Sequence, residues 1–158
     1  MNEKDLRNLE IIILLCIILA NLLVAYYLYT PINNPKEIEA DDVIIVIDNN
    51  SNLEKVAEDH YVDIHEGMDV EIYRNVSSLH AWLVSQNFTG KRFQDHHQRG
   101  EYQGIYAQKT SGNQITGEQT INTFVVYYNP RKHIIVTIYS ENDDNSALEY
   151  VQDLKNKE

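Results

Sequence analysis

The sequence predicts an α+β fold, in which one mainly antiparallel sheet carries packed helices behind a single N-terminal transmembrane helix. Three observations support this: a long uncharged apolar run near the N-terminus, two β-rich stretches around a proline turn near the C-terminus, and helical spacing of apolar residues elsewhere. A chain of 158 residues leaves room for about one globular domain after the apolar run, so we expect no multidomain enzyme.

The apolar run predicts a membrane-spanning helix at residues 9–29. From Ile11 to Tyr29 the chain has 19 residues without a charge. A helix rises about 1.5 Å per residue, so this length covers roughly the 30 Å hydrocarbon core of a bilayer. The run ends in Tyr26, Tyr27 and Tyr29, which suit the headgroup level, and it has no evident signal-peptidase site. We therefore expect a permanent signal-anchor.

The positive charges around this run predict its orientation. Lys4 and Arg7 precede the run, whereas Lys36 is the one cation in the 20 residues after it. The positive-inside rule then places residues 1–8 in the cytoplasm and the C-terminal part outside it. The prediction is a single-pass protein of the cell membrane with an extracytoplasmic domain.

The predicted anchor is followed by a linker and one acidic domain. Residues 30–42 contain Pro31 and Pro35 among alternating polar residues, which is typical of a spacer. Residues 43–158 would form the extracytoplasmic domain. The net charge of −11 opposes the neutralisation of phosphates, so we expect no nucleic-acid partner.

The first half of the domain predicts a strand followed by a short helix. The run Val43–Ile47 is continuously β-branched, as in a strand that is buried on both faces. Ser51 followed by Glu54 forms a capping box, which predicts a helix ending near Asp59.

Residues 62–72 alternate apolar and polar side chains, which predicts a hairpin whose three-residue loop sets Ile64 opposite Val70. In that register the polar residues point away from the core, and Asp63 lies opposite Glu71. A divalent cation would relieve the repulsion between these carboxylates, although a nearby lysine or solvent would do so equally. Oxygen ligands suit Ca²⁺, and an added imidazole would favour Zn²⁺. The candidate metal ligands are Asp63, His65, Asp69 and Glu71, with Ca²⁺ as the expected ion.

The middle of the domain predicts a helix with Trp82 as a core anchor, followed by a strand over residues 101–108. Two tyrosines flank Gly104 on one face of that strand, where they can stack on a sugar ring or on aliphatic groups of a partner. Basic residues concentrate just before it and can orient an anionic partner. The candidate binding surface is Tyr102, Tyr106, Lys91, Arg92 and Arg99; the alternative is that the tyrosines cover the core and the basic stretch is a solvated loop.

The last third predicts a hairpin and a final helix. Residues 120–128 and 133–139 are rich in β-branched and aromatic residues and flank a type I turn with Pro130 at its second position. Ser146 and Glu149 form a second capping box. Leu148, Val151 and Leu154 would then form one apolar stripe of the helix.

The segment HIIVTIYSENDDNSALEYVQDLK at residues 133–155 resembles the closing strand and helix of small PsbP-like extracytoplasmic domains. That resemblance implies an α-β-α sandwich around an antiparallel sheet. It also implies a binding or assembly module, with no catalytic residues to carry over.

The sequence favours a non-catalytic module that binds a neighbouring protein or a component of the cell envelope at the membrane. No serine lies in a nucleophile elbow, and Cys16 falls within the apolar run. The alternative function is a small metal-dependent hydrolase or a divalent-cation-binding protein. We expect no cofactor for the favoured function; Ca²⁺ belongs to the alternative one.

Overall fold

The structure is a computed structural model that describes residues 11–22, 24, 35–112 and 117–157, without the side chains of residues 91–96. The chain divides into two compact units, Met1–Asn33 and Asn34–Glu158.

The first unit contains helix α1, described over residues 11–22 and at residue 24. Within the part of the chain that the structure describes, no helix is both long and apolar enough to cross a membrane. The predicted transmembrane helix at residues 9–29 is therefore wrong. The signal-anchor, the single-pass topology and the cell-membrane localisation depended on it and are corrected with it. Residues 1–8 and the three closing tyrosines lie outside the described residues.

The second unit is mostly β, which corrects the α+β prediction. Its described residues form a three-stranded sheet in the order β1-β2-β10 and a curled seven-stranded sheet in the order β3-β4-β5-β9-β8-β7-β6. All the pairings are antiparallel. The strands are β1 (Lys36–Ala40), β2 (Val43–Ile47), β3 (Glu54–Ala57), β4 (His60–Asp63), β5 (Met68–Tyr73), β6 (Gly90–Arg99), β7 (Tyr102–Gly112), β8 (Gln119–Asn129), β9 (Ile134–Ser140) and β10 (Val151–Asn156), and the helices are α2 (Leu79–Ser85) and α3 (Asp144–Tyr150).

Two segments that carry helix signals form strands instead. The capping-box segment after Ser51 becomes β3, an exposed edge strand that pairs with β4. Helix α3 ends at Tyr150, and the chain continues as β10, which pairs with β2. Val151 and Leu154 are fully buried in that strand rather than lying on a helix. The reason is long-range pairing, because β10 covers an edge of β2 that would otherwise be left open.

Strand β1 lies inside the segment predicted as a linker. It pairs with β2 along its whole length, and Ala40 is buried at its end. Two ion pairs connect the outer strands of this sheet, Lys155–Glu37 at 2.6 Å and Lys157–Glu39 at 2.5 Å. The domain core therefore begins before residue 43.

Two hydrophobic cores lie on opposite faces of the seven-stranded sheet. The larger core joins this sheet to the three-stranded sheet and α3. The smaller core is formed where α2 packs Trp82 and Leu83 against Val126 and Ile135. Because α2 has only 7 residues, it covers part of its sheet face and leaves the remainder open beside β5 and β9.

Candidate functional site

The observed register of the β4–β5 hairpin differs from the predicted one. Tyr61 pairs with Val70 and Asp63 pairs with Met68, so the turn contains Ile64, whose side chain is 83% exposed. The predicted pairing of Ile64 with Val70 is wrong. The observed register buries Tyr61 and gives the Asp63 carboxylate four hydrogen bonds, and these gains outweigh the exposure of Ile64. This shift places Asp63 on the core side of the sheet, apart from Asp69 and Glu71.

Asp63 is fully buried and acts as a hydrogen-bond acceptor for the surrounding chain. Its carboxylate accepts from the backbone N–H groups of Asn52 (2.7 Å), His65 (3.1 Å) and Glu66 (3.2 Å) and from the hydroxyl of Tyr150 (2.9 Å). Burial raises the pKa of Asp63, but these hydrogen bonds outweigh burial and hold the pKa below its ordinary value. In the structure Asp63 therefore serves as a buried acceptor, and it lies apart from the group that Asp69 and Glu71 form with His60.

The other three predicted ligands, His65, Asp69 and Glu71, lie in two different places. The side chain of His65 is exposed in the turn. Asp69 and Glu71 lie on the open face of β5, where His60 joins them from β4. His60 Nε2 is 3.0 Å from Asp69 Oδ1, and one ligand atom from each of the three residues lies within 4.8 Å of the other two. His60 is not among the predicted ligands, because only the observed register sets it opposite Glu71.

Asp69 and Glu71 line a cavity of about 220 Å³ between the open sheet face and α2. Five aromatic rings contact one another in series around it: Tyr73 and Trp82 at 4.9 Å, Trp82 and Phe88 at 5.6 Å, Phe88 and Phe124 at 5.3 Å, and Phe124 and Tyr139 at 5.0 Å between centroids. The cavity thus combines an aromatic wall with two carboxylates.

Strand pairing and a helix cap place these rings. Tyr139 of β9 pairs with Asp69 on one side and with Phe124 of β8 on the other. Ser78 caps α2 by accepting a hydrogen bond from the N–H of Ala81, so the helix starts where Trp82 can pack over the sheet. The predicted core role of Trp82 is confirmed, since it is 8% exposed, and the same ring also lines the cavity.

The cavity carries negative charge on the side of β5 and positive charge on the side of β7. On β5 the hydroxyl of Tyr73 donates to Glu71. Burial and that carboxylate both raise the pKa of Tyr73, so the phenol stays a neutral donor at neutral pH. On β7 Lys109 lines the opposite side, with Nζ 6.0 Å from the centroid of Phe88. The Nε1–H of Trp82 has no acceptor among the residues that the structure describes.

The structure describes the side chains of three residues of the predicted binding surface, Tyr102, Tyr106 and Arg99. Tyr102 is fully buried and donates to Asn156 Oδ1 at 2.9 Å, so it is a core residue. Tyr106 is half-buried, with its ring 5.7 Å from that of His97. Arg99 donates to the carbonyl oxygens of Val151 (2.9 Å) and Leu148 (3.4 Å), so its guanidinium fastens the start of β10. The side chains of Lys91 and Arg92 lie outside the described residues.

Comparison with known proteins returns no match among family models, curated proteins or solved structures. The resemblance to PsbP-like domains therefore stays a prediction. The geometry of the cavity is then the best guide to function. Aromatic faces and carboxylates both attract a positively charged group, and the cavity brings the two together.

Proposed function

We propose that this protein is a non-catalytic binding module whose cavity takes a small organic cation. The observation that carries the proposal is the series of five touching rings beside Asp69 and Glu71. The face of an aromatic ring carries negative charge density and attracts a cation, and quaternary ammonium groups are bound in aromatic cages for this reason. The carboxylates add Coulombic attraction in a partly desolvated site.

The size of the cavity indicates a small ligand. Pockets for drug-sized molecules measure roughly 300–1,000 Å³, whereas this cavity measures about 220 Å³. A quaternary ammonium with a short tail suits that volume better than a nucleotide or an oligosaccharide does.

Choline is expected to bind at least about tenfold more tightly than 3,3-dimethylbutan-1-ol, its uncharged isostere, because a desolvated cation–π contact contributes about 2 kcal/mol and tenfold corresponds to about 1.4 kcal/mol. Trp82 is the single tryptophan in the sequence and lines the cavity, so its fluorescence reports on this site. Titration of the full chain with each probe gives the two dissociation constants. Equal affinities would mean a merely apolar site and would overturn the proposal.

The variant Glu71→Gln keeps the size of the side chain and removes its charge. We expect it to weaken choline binding about fivefold or more, since partly buried charge pairs contribute over 1 kcal/mol, and to leave the affinity for the alcohol unchanged. Glu149→Gln is the matched control, because Glu149 is exposed on α3, which packs on the opposite face of the sheet. An unchanged choline affinity in Glu71→Gln would contradict the assigned role of the carboxylate.

A divalent cation held by His60, Asp69 and Glu71 is the second candidate, favoured by the 4.8 Å spread of their ligand atoms. Zinc ligands lie about 2.0–2.2 Å from the ion, and hence about 3.4 Å apart in a tetrahedron, so the three side chains would have to move closer together. Equilibrium dialysis against Zn²⁺ and Ca²⁺ separates the candidates. Stoichiometric metal uptake that His60→Gln abolishes, together with choline binding that requires the metal, would favour the second candidate. Choline binding that persists in EDTA favours the first.

A further inference from the structure

We infer that the ligand of this cavity is a small zwitterion, with its cationic group at Asp69 and Glu71 and an anionic group at Lys109. This inference rests on the proposed function and adds a second recognition element to it. Betaines and amino acids share this chemistry.

The positions of the charges come from the order of the strands. Asp69 and Glu71 lie on β5 and Lys109 lies on β7, with β9 and β8 between them. Three spacings of about 4.8 Å between neighbouring strands separate β5 from β7 by roughly 14 Å, measured across the sheet and perpendicular to the strands. Side chains of opposite charge therefore approach the cavity from opposite sides.

The charge of Lys109 is not neutralised by the carboxylates of the cavity. Among the ion pairs between described residues none includes Lys109. Asp69 and Glu71 have partners on their own side, His60 and Tyr73. Lys109 is half-buried, and its ammonium lies over the ring of Phe88 instead, so an anionic group in the cavity is the partner that its position accommodates.

Trp82 lies between the two charged sides of the cavity, since its ring is 4.9 Å from Tyr73 of β5 and 5.6 Å from Phe88. Its ring lines the cavity and contacts Phe88, the ring over which Lys109 lies. Its Nε1–H is buried without an acceptor in the described part of the chain. Buried donors in folded proteins nearly always have an acceptor, so Trp82 places a second unsatisfied donor in a residue of the cavity wall.

Two probes isolate the anionic group of the ligand. The zwitterion 4-(trimethylammonio)butanoate and its methyl ester share the same cation, but only the first carries a carboxylate. By calorimetry on the full chain, the zwitterion is expected to bind about tenfold more tightly than the ester, as a charge-assisted hydrogen bond predicts.

The variant Lys109→Met keeps the apolar stem over Phe88 and removes the charge. It is expected to abolish the preference for the zwitterion while binding the ester at least as well as the unmodified chain does. Lys109→Arg is expected to retain the preference, which separates loss of charge from loss of folding. The matched control is Lys55→Met, because Nζ of Lys55 also lies 6.0 Å from a ring centroid, that of Tyr61, but on edge strand β3 away from the cavity.

The outcomes distinguish this inference from the proposed function. Tight binding of the ester with no gain for the zwitterion would overturn the inference and leave the organic-cation proposal standing. Loss of zwitterion and ester binding alike in Lys109→Met would assign Lys109 a structural role and overturn the inference. Failure of both probes to bind the unmodified chain would overturn both proposals.

Discussion

Replacing Asp63 by Asn is expected to lower the free energy of unfolding by about 3 kcal/mol at neutral pH, because hydrogen bonds to a buried charged group contribute about 1.5–3 kcal/mol each. One carboxylate oxygen accepts from the N–H of Asn52 and the hydroxyl of Tyr150, and the other accepts from His65 and Glu66. An Asn side chain has one oxygen, so its amide group would face two of these donors. Urea unfolding of both proteins at pH 7 measures the difference.

The same carboxylate makes stability depend on pH. The pKa of Asp63 is below its ordinary value in the folded protein. A lowered folded-state pKa contributes stability above the unfolded-state pKa of about 4, and this stability is lost as the pH falls through the folded-state value. We therefore expect the stability difference between the wild type and Asp63→Asn to shrink below about pH 4.

The control for Asp63 is an exposed carboxylate. Asp41 is exposed, and its Oδ2 atom lies 3.8 Å from Nη2 of Arg74. Its φ is +53°, a backbone conformation that Asn adopts readily. Asp41→Asn is expected to change the free energy of unfolding by less than about 0.5 kcal/mol. A loss in Asp63→Asn no larger than this control would show that the buried hydrogen bonds contribute little to stability.

Replacing Gly100 by Ala is expected to lower the free energy of unfolding by about 3 kcal/mol through two additive effects. Gly100 forms the turn between β6 and β7 with a φ of +55°, which costs an L-residue about 1–2 kcal/mol. An added Cβ would also collide with the backbone carbonyl oxygen of Leu154 in β10, which cannot move without disturbing its pairing with β2.

Two other glycines separate these effects. Gly117 has a φ of +73°, but no atom of the described residues lies within 4 Å of an added Cβ, so Gly117→Ala is expected to cost only about 1 kcal/mol. Gly112 has no positive φ, and its nearest neighbouring atom would be 3.9 Å from the Cβ, so Gly112→Ala is expected to be nearly neutral. Thermal or urea unfolding of the three variants tests this order. A cost at Gly100 equal to that at Gly117 would contradict the predicted collision with β10.

The elements that the sequence predicts well are those whose signals are local. The hairpin around Pro130 forms as expected between β8 and β9, and Asn129 accepts hydrogen bonds from the backbone of the turn. The β-branched run Val43–Ile47 forms β2, with Val43, Ile45 and Ile47 fully buried. In both cases a few adjacent residues determine the structure: the turn residues in the hairpin and the continuous apolar run in β2.

The elements that the sequence mispredicts depend on partners far along the chain. A capping box and an apolar stripe indicate a helix through Leu154, but pairing with β2 turns that segment into β10. The register of the β4–β5 hairpin follows from the burial of Asp63, whose partner Tyr150 is 87 positions away. A helix pattern within one window contains no information about such a partner, and tertiary pairing outweighs the small differences in local propensity.

For the candidate site, the sequence identifies which polar and aromatic residues are candidates. The tertiary structure decides which of them come together. Asp69 and Glu71 can be proposed as a polar pair, and Trp82 as a buried ring, from spacing alone. Their meeting with Phe124 and Lys109 around one cavity follows from the strand order β5-β9-β8-β7 and from the position of α2 over it. The approach of His60 to Asp69 and Glu71 follows from the pairing of β4 with β5. The physical reason is that alternation along a strand is a local property, whereas the neighbour across the sheet is set by the burial free energy of the whole domain.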